Sequence, residues 1–574
     1  MADTSTDARV LRPTPQTDGT LLYGHNLTHK DRADVVEVRV EIANALPIIF
    51  VPGVMGSNLR SKDKEKTPVW RYDSQAGIGK SKAFRGPGTR QKQLHPDRTE
   101  VDDQGEVPSK EVGTVMASGG KDALTALYRE RGWGEIGKVS YLDFLILLES
   151  TLNAHLKDQT RTDVETKIAE LMALRADDPS NQPWRPEKSF VPPAPTDYTK
   201  LHEWVFPVHA CGYNWLQDCA EGAKHLKDRI MDVIQQHNGP HSRCEQVILI
   251  THSMGGLVAR ACQKLKGMQA MIAGVVHGVM PADGAPVAYR RCKIGMADED
   301  WLTSLVIGRT GQDVTAVFAQ APGALELLPT HNYKGGWLEV RGPDGKAVQK
   351  TLHESNPYDE IYRRHDRWWA LVKEEWLAPE DGAPIQWNDY LKFIDKAEDF
   401  HKSLSPADYH PNTYAFYGAD NRGNTRSFER LVWQMKHGED TDALPPNQVY
   451  GLGASDKRVQ LGGANPEFAG QRQIIDYADP TGSESVNLKT INQWELHAST
   501  AENSGLSGAP GMGDGTVPAA SGRAPAACAE VRQVFRLSGV GHEPAYSEKS
   551  PIARQVTLYA ISKIALEAKV PAAK

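Results

Sequence analysis

The chain has 574 residues, 40% of them apolar and 24% charged, with a net charge of −7. This is the composition of a soluble globular protein, too polar for a membrane span, which needs ~20 consecutive apolar residues, and too weakly charged for general nucleic-acid binding. Six cysteines without a Cys-x-x-Cys pair argue against a disulfide scaffold or a zinc centre, and the length admits roughly three to four domains or one enzyme domain with long insertions.

The first residues, Met1 to Arg9, are polar and acidic where a secretory signal is basic and then apolar, so ordinary Sec export is not expected. Up to about residue 45 only Val35 to Val40 alternate as a strand would. Pro47-Ile-Ile-Phe-Val-Pro-Gly-Val-Met-Gly-Ser-Asn-Leu59 then reads as a buried strand running into a glycine-rich turn, where backbone N–H groups can face a pocket. Residues 61 to 92 carry nine Lys or Arg against three acidic residues, with Trp70, Tyr72 and Phe84 among them. Such a run is most simply a solvated loop, and anionic lipid head groups are its alternative partner.

From Tyr141 to about Arg175, Phe144, Leu147, Leu148, Leu152, Leu156, Val164, Ile168 and Leu171 recur at helical spacing and predict two amphipathic helices. A proline-rich connector spans Pro183 to Pro195, and Trp204 to Val208, Gly212 to Trp215 and Gln217 to Gln236 read as strand, turn and helix. The next strand is the most informative. In Val247-Ile-Leu-Ile-Thr-His-Ser-Met-Gly-Gly256, four apolar residues meet a small-residue corner carrying Ser253, and a helix pattern resumes with Leu257, Val258 and Ala259. Strand, sharp turn and helix make a nucleophile elbow, whose usual pattern is Gly-x-Ser-x-Gly. Here Thr251 stands at the first glycine, a departure the sequence does not explain.

Met271 to His277 predicts a further strand. From about Val287 to Pro411 the alternation is lost and tryptophan is frequent, including Trp301, Trp337, Trp368, Trp369 and Trp376. Within it Ala316 to Leu328 is apolar enough to line an acyl channel or form a lid, with ordinary core packing as the alternative. Tyr414 to Tyr417 restores a strand, Val531 to Leu537 looks like the last one, and Pro551 to Ala568 closes the chain as a helix. The expectation is therefore an α/β chain with a mostly parallel sheet, a single catalytic domain over 1–574. Its insertions are 61–200 (basic loop and helices), 287–411 (aromatic and lid-like) and 421–500 (polar and glycine-rich).

A serine hydroxyl needs a base within hydrogen-bond reach and a carboxylate that orients the base. In α/β-hydrolases these follow in the order Ser, Asp, His. Asp514 lies in the turn Gly511-Met-Gly-Asp-Gly-Thr-Val-Pro518, and His542 in a loop directly after the last strand. Asp420, which also follows a strand, is the competing acid. His252 is too near the serine to turn back on it, and His277 and His497 precede Asp514, so His542 is preferred as base. Backbone N–H groups of Val54 and of Met254 are the expected oxyanion donors.

Phe50 to Leu59, His252-Ser-Met-Gly255, Tyr417-Gly418, Gly513 to Pro518 and Gly541-His542 follow, in order, the landmarks of the lecithin:cholesterol acyltransferase-like lipases, which the chain resembles. Through His277-Gly-Val-Met-Pro-Ala282 and Ala321 to Pro329 it is similar to the third group of bacterial type VI secretion lipase effectors. That resemblance implies an α/β-hydrolase fold and a phospholipase that attacks the acyl esters of membrane glycerophospholipids without a cofactor or metal. It also implies injection into the periplasm of competitor cells, a cognate immunity protein, and a spike or adaptor partner. An intracellular esterase or acyltransferase, and a decayed hydrolase serving as a binding module, are the alternatives. Loop carboxylates such as Asp97, Asp102 and Asp103 leave a structural calcium ion open.

Overall fold

Seven strands build the central sheet of the protein, a computed structural model that describes residues 14–15, 21–22, 43–73, 86–116, 120–156, 163–174, 182–239, 242–296, 307–308, 310–341, 347–352, 356–365, 370–420, 427, 429–437, 473–477, 492–498 and 512–571. In chain order they are β1 (Ile48–Val51), β2 (Trp184–Pro186), β3 (Val208–Ala210), β4 (Val247–His252), β5 (Ile272–Gly278), β6 (Thr413–Gly418) and β7 (Gln533–Leu537). Across the sheet the order is β3-β1-β4-β5-β6-β7-β2. Neighbours are parallel except β7 and β2, which run antiparallel.

A parallel sheet is covered on both faces, which is why these strands read as unbroken apolar runs rather than as alternating ones. Successive side chains point to opposite faces. Ile49, Val51, Leu249 and Val275 pack on one side with helices α3 (Cys219–Gln236) and α4 (Gly255–Lys264). Ile48, Phe50, Ile248, Ile250 and Val276 pack on the other with α1 (Lys138–Leu152), α2 (Asp163–Ala173) and the C-terminal helix α7 (Pro551–Glu567). Both helices anticipated between Tyr141 and Arg175 are present. Because the strands are parallel, the loops after β1, β4, β5, β6 and β7 collect at one edge, where open α/β sheets bind ligands.

The antiparallel edge strand β2 falls inside the expected proline-rich connector. Pro186 is tolerated there because an edge strand has a free side, and Trp184 is buried with its indole N–H on Leu171 O at 2.9 Å. The segment Ala316 to Leu328 is buried throughout most of its length. Helix α5 (Gly311–Phe318) and the turn Pro322–Leu325 pack into the same core as α6 (Trp387–Ser403), together with Trp337. A five-stranded sheet of order Ala347–Leu352, Leu338–Arg341, Leu431–His437, Asn492–Ala498, Gln473–Tyr477 joins residues from both later insertions. Leu338–Arg341 pairs parallel with Leu431–His437 there.

The predicted strand at Val35 to Val40, and Phe84, Trp301, Trp368 and Trp369, lie outside the described residues. All six cysteines are free thiols and buried. Among the described residues no helix is long and apolar enough to cross a membrane.

Candidate active site

β4 ends at His252 and α4 begins at Gly255, so the chain must reverse within two residues. Ser253 makes that reversal with a left-handed φ of 51°, a conformation that costs a non-glycine residue of order 1–3 kcal/mol and persists only where its surroundings impose it. Here the Ser253 N–H is tied to Gly278 O at 2.9 Å, and the Gly256 N–H to Ser253 O at 2.9 Å. A Cβ on Gly255 would lie 2.5 Å from both Val51 O and Pro52 O, and one on Gly53 would lie 2.8 Å from His252 Nδ1. Glycine at these two positions is what lets the elbow and the β1 turn touch.

The loop after β7 brings His542 to the serine. His542 Nε2 is 2.9 Å from Ser253 Oγ, and His542 Nδ1 is 2.8 Å from Asp514 Oδ2. Asp514 is buried, and its Oδ1 accepts the N–H groups of Thr516 (2.9 Å) and Val517 (2.7 Å). The Asp514 carboxylate is therefore oriented from both ends. Asp420, the competing acid, accepts the Gly539 N–H at 3.1 Å on Oδ2, whereas the carboxylate on His542 Nδ1 is that of Asp514. His252, His277 and His542 are the histidines of the site, and only His542 has a ring nitrogen on the serine.

Beyond β1, Gly53 to Gly56 form a tight turn closed by the Gly56 N–H on Gly53 O at 3.0 Å, with Met55 at φ 62°. The indole N–H of Trp70 holds Met55 O at 2.7 Å, and the Tyr213 hydroxyl holds Pro52 O at 3.0 Å. Val54 is the second residue of this turn, and Met254 stands at the N-cap of α4. Among the described residues neither of their N–H groups donates to a protein acceptor.

Around the serine the structure adds contacts that the sequence did not announce. The Thr251 hydroxyl is 2.9 Å from His277 Nδ1 on β5. His252 Nε2 donates to His542 O at 2.8 Å, while its Nδ1 is 2.9 Å from the hydroxyl of Tyr141 on α1. Tyr546, four residues after His542, donates its hydroxyl to Thr251 O at 3.0 Å. Burial, then the nearby His542, pushes the His252 imidazole down to about 3, and burial with Arg260 does the same to His277. Both rings are neutral at pH 7. In the sequence Tyr141 was one position of an amphipathic helix, and nothing in its spacing marked it.

Of the basic residues in 61–92, Lys66 pairs with Glu100 at 3.0 Å, Arg71 with Asp102, and Arg90 with Asp313. Asp102 and Asp103 are engaged by arginines, Asp103 by Arg60 at 2.6 Å.

Comparison with known proteins agrees with this architecture. Residues 215–297, which carry the elbow, match the model of the PGAP1-like alpha/beta domain family. Among solved structures the chain is similar to one described as the crystal structure of the Tle4–Tli4 complex, at 30% sequence identity and a TM-score of 0.67, covering 92% of this chain and 99% of that one. The resemblance to bacterial type VI secretion lipase effectors read from the sequence agrees with this match. No curated protein matches the sequence.

Proposed function

We propose, from the premise that this chain belongs to the Tle4 family of α/β-hydrolases, that it is a serine hydrolase of lipid acyl esters. Ser253 Oγ attacks the ester carbonyl while His542 Nε2 takes its proton. His542 then gives that proton to the leaving alcohol, and an acyl-enzyme remains. Water enters along the same path and gives a proton to His542 as its oxygen bonds the acyl carbon; the bond to Ser253 Oγ then breaks, His542 returns the proton to that oxygen, and the fatty acid leaves. Asp514 holds Nδ1 of the imidazole and balances its charge. The N–H groups of Val54 and Met254 receive the oxyanion, each worth ~3 to 4 kcal/mol of transition-state stabilisation.

The observation that carries this reading is the continuous chain from Ser253 Oγ through His542 to Asp514, at 2.9 and 2.8 Å. The loops that supply it arrive in the order the chemistry requires. For the substrate we infer membrane glycerophospholipid, and for the setting an antibacterial effector of a type VI secretion system, delivered to the periplasm of a target cell. The support is the family itself, together with the Tle4 structure having been determined with a second protein, Tli4. A cognate immunity protein and a loading partner on the secretion spike follow from the same reading.

The test uses the full chain and its Ser253→Ala variant on phosphatidylethanolamine and phosphatidylglycerol liposomes, with a fluorophosphonate probe in parallel. Fatty-acid release and Ser253 labelling that both vanish in the variant, with toxicity to cells on periplasmic targeting, are expected. Hydrolysis surviving Ser253→Ala overturns the mechanism, and hydrolysis without periplasmic toxicity moves the protein to an esterase or acyltransferase working elsewhere. A protein that the probe leaves unlabelled is a binding module.

A further inference from the structure

The three consecutive residues of the elbow each reach the segment that carries the base. Thr251 O accepts from Tyr546, His252 Nε2 bonds the His542 carbonyl, and Ser253 Oγ meets the His542 ring. The middle contact has a fixed direction. A carbonyl only accepts, so His252 carries its proton on Nε2, and its bare Nδ1 takes the hydroxyl proton of Tyr141. The Tyr141 oxygen in turn accepts the Gly53 N–H at 3.4 Å. A single line of hydrogen bonds therefore runs from the oxyanion turn through Tyr141 and His252 to the main chain of the base.

We infer that His252 is a positioning residue for His542, and that Tyr141 sets the tautomer in which it can act. The His542 peptide is gripped at both ends, its N–H by Asp514 O at 2.7 Å and its carbonyl by His252. The second grip comes from the residue next to the nucleophile, so it fixes the distance between base and nucleophile directly. Without it the His542 loop is held beside the serine by the Asp514 O contact, the Tyr546 contact and the triad itself, and the imidazole loses its alignment with Ser253 Oγ. His252 makes no contact with the reacting atoms. Its ring is buried and held neutral near pH 7, so it keeps one donor and one acceptor there. The inference rests on the reading of Ser253 as nucleophile.

The experiment compares His252→Leu, His252→Gln and Tyr141→Phe in the full chain, with Ser253→Ala as control, on a soluble p-nitrophenyl ester and in the rate of fluorophosphonate labelling. His252→Leu should lower kcat and the labelling rate by at least about tenfold, with KM unchanged, as misalignment by a fraction of an ångström does. His252→Gln, whose amide N–H is placed like Nε2–H, should recover most of that loss. Tyr141→Phe should lower kcat in the wild-type background and much less in the His252→Gln background, because an amide has no second tautomer. Equal losses in the Leu and Gln variants, or wild-type kcat in His252→Leu, overturn the assignment while leaving the nucleophile intact. Hydrolysis that survives Ser253→Ala removes the reading beneath it. If His252→Leu does not fold, the Tyr141→Phe pair decides alone, and equal losses in the two backgrounds count against the role.

Discussion

The hydroxyl of Thr251 lies 2.9 Å from His277 Nδ1 across the pair of parallel strands that meet at the elbow. Thr251 and His277 are direct partners in the register, both buried, so the residue standing where the usual motif has glycine is paid out as a side-chain hydrogen bond. Valine at 251 keeps the shape and removes the hydroxyl. It leaves His277 one partner short in a site without water access, a loss of about 1–3 kcal/mol. Thr251→Val is expected to lower stability by that amount in a denaturant titration, Thr251→Ser to restore part of it, and kcat of the folded protein to stay unchanged. A Thr251→Val protein as stable as the parent would show that the hydroxyl contributes nothing.

Two adjacent glycines should respond differently to a methyl group. A Cβ on Gly255 meets the backbone oxygens of Val51 and Pro52, which cannot move without moving β1 and the turn that carries Val54. A Cβ on Gly256 meets Met280 Sδ at 2.5 Å, the end of a flexible side chain, and His277 Nδ1 at 3.1 Å. Gly255→Ala is therefore expected to lose about 10²-fold or more in kcat, or to fail to fold. Gly256→Ala should fold and retain most of its activity. Ester hydrolysis by the two purified variants, normalised to folded protein by circular dichroism, measures the difference, and equal effects would contradict the close approach of elbow and β1.

The strands and the serine corner were legible because burial on both faces writes itself as apolar runs, and because a serine followed by Gly255 and Gly256 after such a run fits an elbow once loops later in the chain offer it a base and an acid. Asp514 and His542 were legible from chain order. The edge strand at Trp184–Pro186 was not, since its signal is three residues containing a proline. The second sheet was not either: Leu338–Arg341 has four residues, and its parallel partner Leu431–His437 lies tens of residues on in a segment that reads as a separate insertion. Tyr141 was invisible for another reason. Helical spacing tells which face of α1 is buried, and Phe144, Leu148 and Tyr141 share that signal; that one hydroxyl ends on His252 follows from packing against β4 and is not written in the spacing.

Asp514 offers a sharper test of the triad than its removal. Its Oδ1 is fixed by the Thr516 and Val517 N–H groups, so in Asp514→Asn the amide oxygen stays there and the NH2 turns to His542 Nδ1. That forces the proton to Nε2, where it points at Ser253 Oγ and the imidazole can no longer take the serine proton. The expected loss in kcat is about 10⁴-fold, as for other serine triads held in the wrong tautomer, with the fold intact. Asp420→Asn, which keeps an oxygen for the Gly539 N–H, should retain activity. If Asp514→Asn turned over normally and Asp420→Asn did not, the acid would be Asp420.

The buried histidines make stability fall in acid. Burial pushes His237, His252 and His277 down to about 3 and His401 to about 4, from an ordinary 6.5, and pushes His209 well below it. An unfolded chain protonates these rings below pH 6.5 while the folded one does not, so their contribution to stability is whole above 6.5 and drains as pH falls toward 4 and 3. Two buried carboxyls act in the opposite sense: burial raises Asp283 to about 6 and Glu326 well above the usual range, so each holds a proton in the folded state at pH 5 that the unfolded state mostly lacks. The lowered imidazoles outnumber the raised carboxyls, so unfolding in mild acid takes up protons and stability falls with pH there. Thermal unfolding followed from pH 7.5 to pH 4.5 should show Tm falling with steepening slope below pH 6.5. The proton uptake can be read from calorimetric enthalpies in buffers of different ionisation heat. A Tm that stays level between pH 7 and pH 5 would mean that these rings are reached by water and protonate in the folded state.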